Sequence, residues 1–470
     1  MNLHELNSIR FMTRIENDDD NLQSISSEKT FIPTKLINNC FSDNPITAES
    51  SLDDLNDYLH SQCTDEQFEA FCKVFPYDQF LEQLLKTPEG KIKTKAVLVF
   101  SCCSNSDFFP AKVYAANEQI LSFFYSLLES AVKDEITSGL QILSQIMLSC
   151  PPVCQFLVEN QDIHSELELI QATPQFSKML SILCENHPQS LARTLSLMPF
   201  CFETGDTESI TLCLLGMISA IKKVPECYEP VIFMIDKYKK CIFAFDIENL
   251  EKSGPYPEEI VTSDPLDKNK SKTDEECKSS IDEDNIQLAL EIISIVPIAP
   301  PSLMSSVLFS LLKCQESKTI LLCNLALRKQ KGNWRGIEMF DAFLCDILLG
   351  QMYKMSFEIQ KSNFETIMVY YRWDNEININ LTKELIRFLD EYDMKGGCLF
   401  LLCHIVEVFV SKKTGEKNNS NDDQKLSQLI DLLQSSAFPI IEKIAEDPDE
   451  EDENSLLAQN FLSLFQIDNN

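Results

Sequence analysis

Two groups of cysteines raise the first chemical question, because soft ligands at short spacing can hold a metal or present a reactive thiolate. Cys150 and Cys154 bracket Pro151 and Pro152. A turn there would present both thiols as half of a tetrahedral zinc site. No second Cys/His pair follows at zinc-finger spacing, so the pair reads as packing at a helix end. Cys398, Cys403 and His404 form the other group. Adjacent residues on a helix point about 100° apart, so Cys403 and His404 do not face one ion, and this group also reads as packing. The histidines are His4, His60, His164, His187 and His404. None stands in an H-E-x-x-H pattern, and no G-x-S-x-G elbow exists. No catalytic, cofactor-binding or metal residue is nominated, and no cofactor is expected.

Binding chemistry has better candidates. Trp334-Arg335 and Tyr370-Tyr371-Arg372-Trp373 pair aromatic rings with guanidinium groups, the residue types that anchor interfaces. Gly332 and Gly336 flank the first pair and suggest an exposed turn. Two readings stand side by side. The tryptophans plug the core between helices, or Trp334, Arg335, Arg372 and Trp373 contact a partner. The acidic run from Asp447 to Glu453 could attract a basic segment. It lacks the glycine of a calcium loop.

The elements that must position these residues show internal repetition. Stretches beginning at Ile92, Ile136, Phe176, Ile210, Ile286 and Ile320 can be laid over one another. Four residues on stand Ala96, Leu140, Leu180, Leu214, Leu290 and Asn324; seven on stand Val99, Leu143, Leu183, Met217, Ile293 and Leu327. Apolar residues at i, i+4 and i+7 form one helical stripe. The steps between starts are 44, 40, 34, 76 and 34 residues, the period of stacked helical repeats. The long step reads as two units, one of them degenerate. Prolines punctuate three copies at matching depth: Pro151 and Pro152, Pro225, then Pro300 and Pro301. Ser51 reads as a helix N-cap, and Thr64 with Gln67 as a capping box.

The run Ile136-Thr-Ser-Gly-Leu-Gln-Ile-Leu-Ser-Gln-Ile, a break, then Cys154-Gln-Phe-Leu-Val-Glu-Asn-Gln-Asp-Ile163 resembles the armadillo/HEAT superfamily of helical repeats. Thr207 to Ile232 looks similar, and the resemblance extends over about residues 91–440. Larger residues often stand where that pattern has small ones, and no regular ladder of Asn and Trp is visible. The resemblance implies an all-α fold, an α-solenoid of irregular armadillo/HEAT-like helical repeats, and partner binding on its concave face.

Composition fits this. The chain has 470 residues, 44% hydrophobic, with only 11 glycines, which disfavours phosphate loops and turn-dense β architecture. Its 73 acidic and 40 basic residues give a net charge of −33. That opposes binding to nucleic acid or anionic membranes and favours protein partners with basic segments. No apolar run is long enough to span a bilayer, and the N-terminus has no apolar signal core. A cytoplasmic chain is expected, the nucleus remaining open, with its 18 cysteines reduced.

The expected organisation is a poorly ordered segment 1–50, helical repeats over 51–250, a disordered acidic and polar insertion at 251–285, further repeats over 286–445, and an acidic stretch with a terminal amphipathic helix at 446–470. The expected function is a protein-interaction scaffold or adaptor. The alternative is a regulatory subunit of a cytosolic phosphatase or kinase complex. A third reading is a thiol- or metal-dependent enzyme using the cysteine groups.

Overall fold

The computed structural model describes residue 37 and residues 39–243, 282–314, 316–334, 344–345, 347–349, 355–371, 378–410, 420–447 and 452–467. Every regular element among them is helical. The fold is all-α, an irregular array of helical repeats. The chain divides into two compact units, one ending at Ser310 and the other starting at Leu311.

In the first unit, six helices form a ladder: α1 (Pro45–Asp57), α2 (Lys91–Cys103), α3 (Lys133–Ser149), α4 (Pro174–Asn186), then α6 (Thr207–Lys223) and α7 (Glu283–Ile295), each packed on the next. Between α4 and α6 in sequence lies α5 (Leu191–Thr204), which packs against both from outside the row. Helices α2, α3, α4, α6 and α7 carry the stripes read from the sequence. Of those stripe residues only Ile92 and Ile136 are half-buried; the others are buried. Helix α6 is buried without a break from Ser209 to Ile218, as befits a helix apolar on all sides.

Local chemistry sets the helix ends. Helix α3 stops where Cys150 N–H donates to Ile146 O at 2.8 Å, and Pro152 opens Pro152–Asn160 at a position needing no N–H. Helix α6 ends against Pro225. Thr64 and Gln67 close the capping box, with N–H donations of 3.0 and 3.3 Å. Ser51 does not start a helix. It lies buried inside α1, which begins at Pro45 with Asn44 as N-cap. Proline at N1 and an asparagine before it outcompete a serine already inside a helical run. Residues 45–50, placed with the loose N-terminal segment, are therefore helical; residues 1–36 lie outside the described part.

The 76-residue step is one unit, not two. Helices α6 and α7 are direct neighbours. The Thr211 hydroxyl donates to Asn285 Oδ1 at 2.7 Å, Asn285 Nδ2 donates to Thr207 O at 3.3 Å, and Lys222 pairs with Glu291 at 3.0 Å. Added chain, including Tyr228–Lys237, occupies the interval. Residues 251–281 of the expected insertion lie outside the described part. Asp282 caps α7 and residues 283–285 belong to it. The division into two compact units falls after Ser310, beyond α7.

Small residues do appear where ladder helices approach closely. A Cβ on Gly216 of α6 would stand 3.0 Å from Ser181 Cα and 3.2 Å from Met198 Cε. A Cβ on Gly139 of α3 would stand 3.0 Å from Cβ of Leu127, in the turn before α3.

In the second unit, α8 (Ser317–Lys329) packs on α9 (Phe357–Tyr370). Asn324 Nδ2 donates to Asn363 Oδ1 at 2.6 Å and Tyr370 Oη to Leu327 O at 2.7 Å. The terminal helix α12 (Asp452–Ile467) packs on α10 (Tyr392–Ile405) and α11 (Phe438–Glu446). It buries Ala458, Phe461 and Phe465 and leaves Leu456 67% exposed.

Urea unfolding followed by circular dichroism tests the ladder. Leu143→Ala and Leu183→Ala, both at 0% exposure, are expected to cost about 2–5 kcal/mol each. Gly216→Ala gains about 1 kcal/mol of helix propensity but overpacks against a buried backbone, for a net loss of about 1 kcal/mol. Gly332→Ala, with nothing within 4 Å, should show no loss.

Candidate interaction surface

Ladder helices leave one edge open to solvent, and polar side chains cross from helix to helix along it. Gln141 Nε2 of α3 donates to Ser101 O of α2 at 2.9 Å, and Gln145 Nε2 to Asn105 Oδ1 at 2.9 Å. Lys223 of α6 bonds the Glu185 carbonyl of α4, and Lys222 pairs with Glu291 of α7. The repeat step therefore recurs in the hydrogen bonds as well as in the apolar stripe.

Beside α1, at the N-terminal ends of α2 and α3, the surface opens into a cleft of about 930 Å³. Its walls are α1, the first half of α2, the turn 126–132 and the first turn of α3. Lys95 of α2 reaches two α1 carboxylates, Glu49 at 2.9 Å and Asp53 at 2.6 Å. These contacts, Asp53 foremost, hold its amine above the ordinary lysine value. Lys93 pairs with Glu89 and lies 5.5 Å from the Phe123 ring centroid. Glu135, 4% exposed, accepts from the Thr94 hydroxyl at 2.5 Å and the Ser130 hydroxyl at 2.6 Å.

Of the residues singled out as partner contacts, only Trp334 is among those the structure describes. Trp334 is fully buried at 0% exposure, so its ring fills the core and is not on the surface. Indole area this large is stabilising inside a small helical layer, and the flanking glycines misled the exposed-turn reading. Arg335, Arg372 and Trp373 lie outside the described residues. Sequence reasoning missed the cleft, whose walls come from segments far apart in the chain. The one local signal was Lys91, Lys93 and Lys95 alternating after Gly90.

In the two cysteine groups Cys154, Cys398 and Cys403 are interior, while Cys150 and His404 are half-buried. Burial pushes the Cys154 thiol up to about 12, Cys398 to about 12 and Cys403 to about 11. Two thiols move the other way. A hydrogen bond from Cys103 pulls Cys72 down, and one from Cys213 pulls Cys201 down, while burial drives both partners up. Cys72 and Cys201 are at 0% exposure, which denies a thiolate the access that reactivity requires. Among the described residues no three metal-ligating side chains are grouped to share an ion.

A second polar node lies inside the unit. His164 Nε2 is 2.9 Å from Thr194 Oγ1, whose hydroxyl donates to Ser190 O at 3.2 Å. The hydroxyl proton being so used, the imidazole carries its proton on Nε2. Its Nδ1 is buried with no partner. Burial, reinforced by Arg193, lowers this histidine to about 4. Nearby, Asp162 takes the left-handed conformation (φ 47°) and pairs with Arg193 at 2.8 Å.

No protein-family model matches the chain, and no curated protein matches it. Among the solved chains similar to it is one from a structure described as "A conserved phosphorylation switch controls the interaction between cadherin and beta-catenin in vitro and in vivo". The TM-score is 0.47 at 10% identity, over 99% of this chain and 96% of that one. That degree of likeness does not extend to partners or activity.

His164 gives a pH prediction with a definite sign. Its folded value of about 4 lies below the unfolded 6.5, so between these pH values the unfolded chain binds more protons. Stability is complete above pH 6.5 and falls as pH drops towards 4, by up to about 1.4 kcal/mol per pH unit. Urea midpoints across this window should fall more steeply for the native chain than for His164→Gln. Parallel curves would contradict the neutral buried imidazole.

Proposed function

We propose that this chain is a protein-interaction scaffold that holds partner segments on the open edge of its helical ladder. The observation that carries the reading is the row of polar contacts running from Asn105 through Gln141 and Gln145, then from the Glu185 carbonyl through Lys223 and Lys222 to Glu291. Stacking consumes the apolar faces and leaves this row, and the cleft beside α1, as built surface. Stacked repeats use such extended faces for recognition. The acidic balance of the chain, −33 overall, favours basic partners and disfavours phosphate backbones. No helix among the described residues is long and apolar enough to cross a membrane. Partner contacts at Arg335, Arg372 and Trp373, which lie outside the described residues, remain part of this proposal.

Affinity capture of the tagged full chain from its native cells tests it. A protein partner in stoichiometric amount, reduced several-fold by Arg372→Ala with Trp373→Ala, is expected. Recovery of the chain alone, in repeated captures with and without reversible cross-linking, would count against a scaffold.

A further inference from the structure

The cleft beside α1 has a specific deficit. Six carboxylates and three lysines line it. Two of those lysines are already engaged: Lys95 by Glu49 and Asp53, Lys93 by Glu89. Lys91 stands exposed at the rim. Glu135 lies deep in the wall and, among the described residues, is held by two hydroxyls with no cation beside it. Its place in the first turn of α3 gives it some support from the helix dipole. A buried carboxylate nonetheless gains most from a charged donor. Glu129 and Asp134 are exposed at the mouth. Asn56 Oδ1, on the opposite wall, is a buried acceptor with no donor. Unfilled capacity here is on the acceptor side. The floor is apolar, from Leu98, Leu127 and the 41% exposed Val132.

We propose that this cleft receives an arginine side chain from a segment of a partner protein, with the guanidinium among Asn56, Glu129, Asp134 and Glu135 and the aliphatic stem on Leu98 and Val132. The inference rests on the scaffold reading and names the chemistry of its partner. Arginine suits the site better than lysine. Its five donors in a planar fork can serve acceptors on two walls at once. Its three-carbon stem covers apolar surface while the charged head stays among polar groups. A volume of about 930 Å³ lies within the range of ligand-sized clefts and has room for an arginine side chain with part of the segment that carries it.

The test uses the purified full chain and a fluorescein-labelled peptide of alternating leucine and arginine, with citrulline replacing arginine in a second peptide. Citrulline keeps the shape and removes the charge. Fluorescence anisotropy should show the arginine peptide binding at least about tenfold more tightly than the citrulline peptide. Glu129→Gln with Asp134→Asn should weaken it about tenfold. Glu442→Gln with Glu446→Gln, the same charge change at exposed positions of α11, should leave it within about twofold. Because Glu135 also holds Thr94 and Ser130, the mouth pair carries the test. Equal losses in both variants would assign binding to overall charge and overturn the proposal. So would no loss in either, or no binding of the arginine peptide. A cellular partner captured at wild-type level by the mouth variant would remove the cleft and leave the scaffold reading standing.

Discussion

A helix that is apolar on every side has to be covered on every side. Helix α6 is that helix, buried continuously from Ser209 to Ile218. It is enclosed by α4 on one flank, α7 on the other, and α5 with Tyr228–Lys237 behind. No single hairpin could supply this cover, so the neighbouring repeats exist as folded elements largely through each other. The same demand passes along the row to α3 and α2. Their stripes are buried apart from half-buried Ile92 and Ile136, and α3 still offers Gln141 and Gln145 half-exposed. Where the row begins, burial relaxes and a cleft opens.

Close approach is set by what is missing from side chains. Gly216 lets α6 settle against the backbone of Ser181, whereas at Gly397 in the second unit a Cβ would meet only the end of a flexible side chain, Met368 Cε at 2.9 Å. Once backbones are that near, side chains at the helix edges can bond directly across the seam. Thr211 with Asn285, and Asn324 with Asn363, do so with buried hydrogen bonds of 2.7 and 2.6 Å. Buried polar pairs of this kind add little net stability. They penalise a slipped register heavily, because either partner would be left unsatisfied.

Much of this was readable in the chain. The stripes at Leu140, Leu143, Leu180 and Leu183 follow from helical periodicity, and the prolines after α3 and α6 mark true helix ends. What could not be read depended on contacts between distant segments. A step of 76 residues divides evenly into two repeats of 38, and periodicity alone cannot tell a decayed repeat from an insertion. The bond between Thr211 and Asn285 decides it. Trp334 beside glycine and arginine carries the composition of an interface, while its burial depends on packing that local sequence does not encode. Ser51 satisfied the rule for a cap, and Asn44 with Pro45 satisfied it earlier and better. The cleft at Glu135 joins residues from three stretches between Glu49 and Glu135 and leaves almost no local trace.

The adjacency of α6 and α7 carries most of this account, because it fixes the repeat count and the continuity of the open edge. Zero-length carbodiimide cross-linking of the native full chain, read by mass spectrometry, tests it directly. The ion pair between Lys222 and Glu291, 3.0 Å apart, should yield an amide cross-link as readily as Lys95 with Asp53, 2.6 Å apart. An intervening repeat would hold α6 and α7 about 20 Å apart, two helix spacings of 8–10 Å each. If Lys95 and Asp53 couple while Lys222 and Glu291 never do, the two helices are not neighbours and the ladder is wrongly drawn.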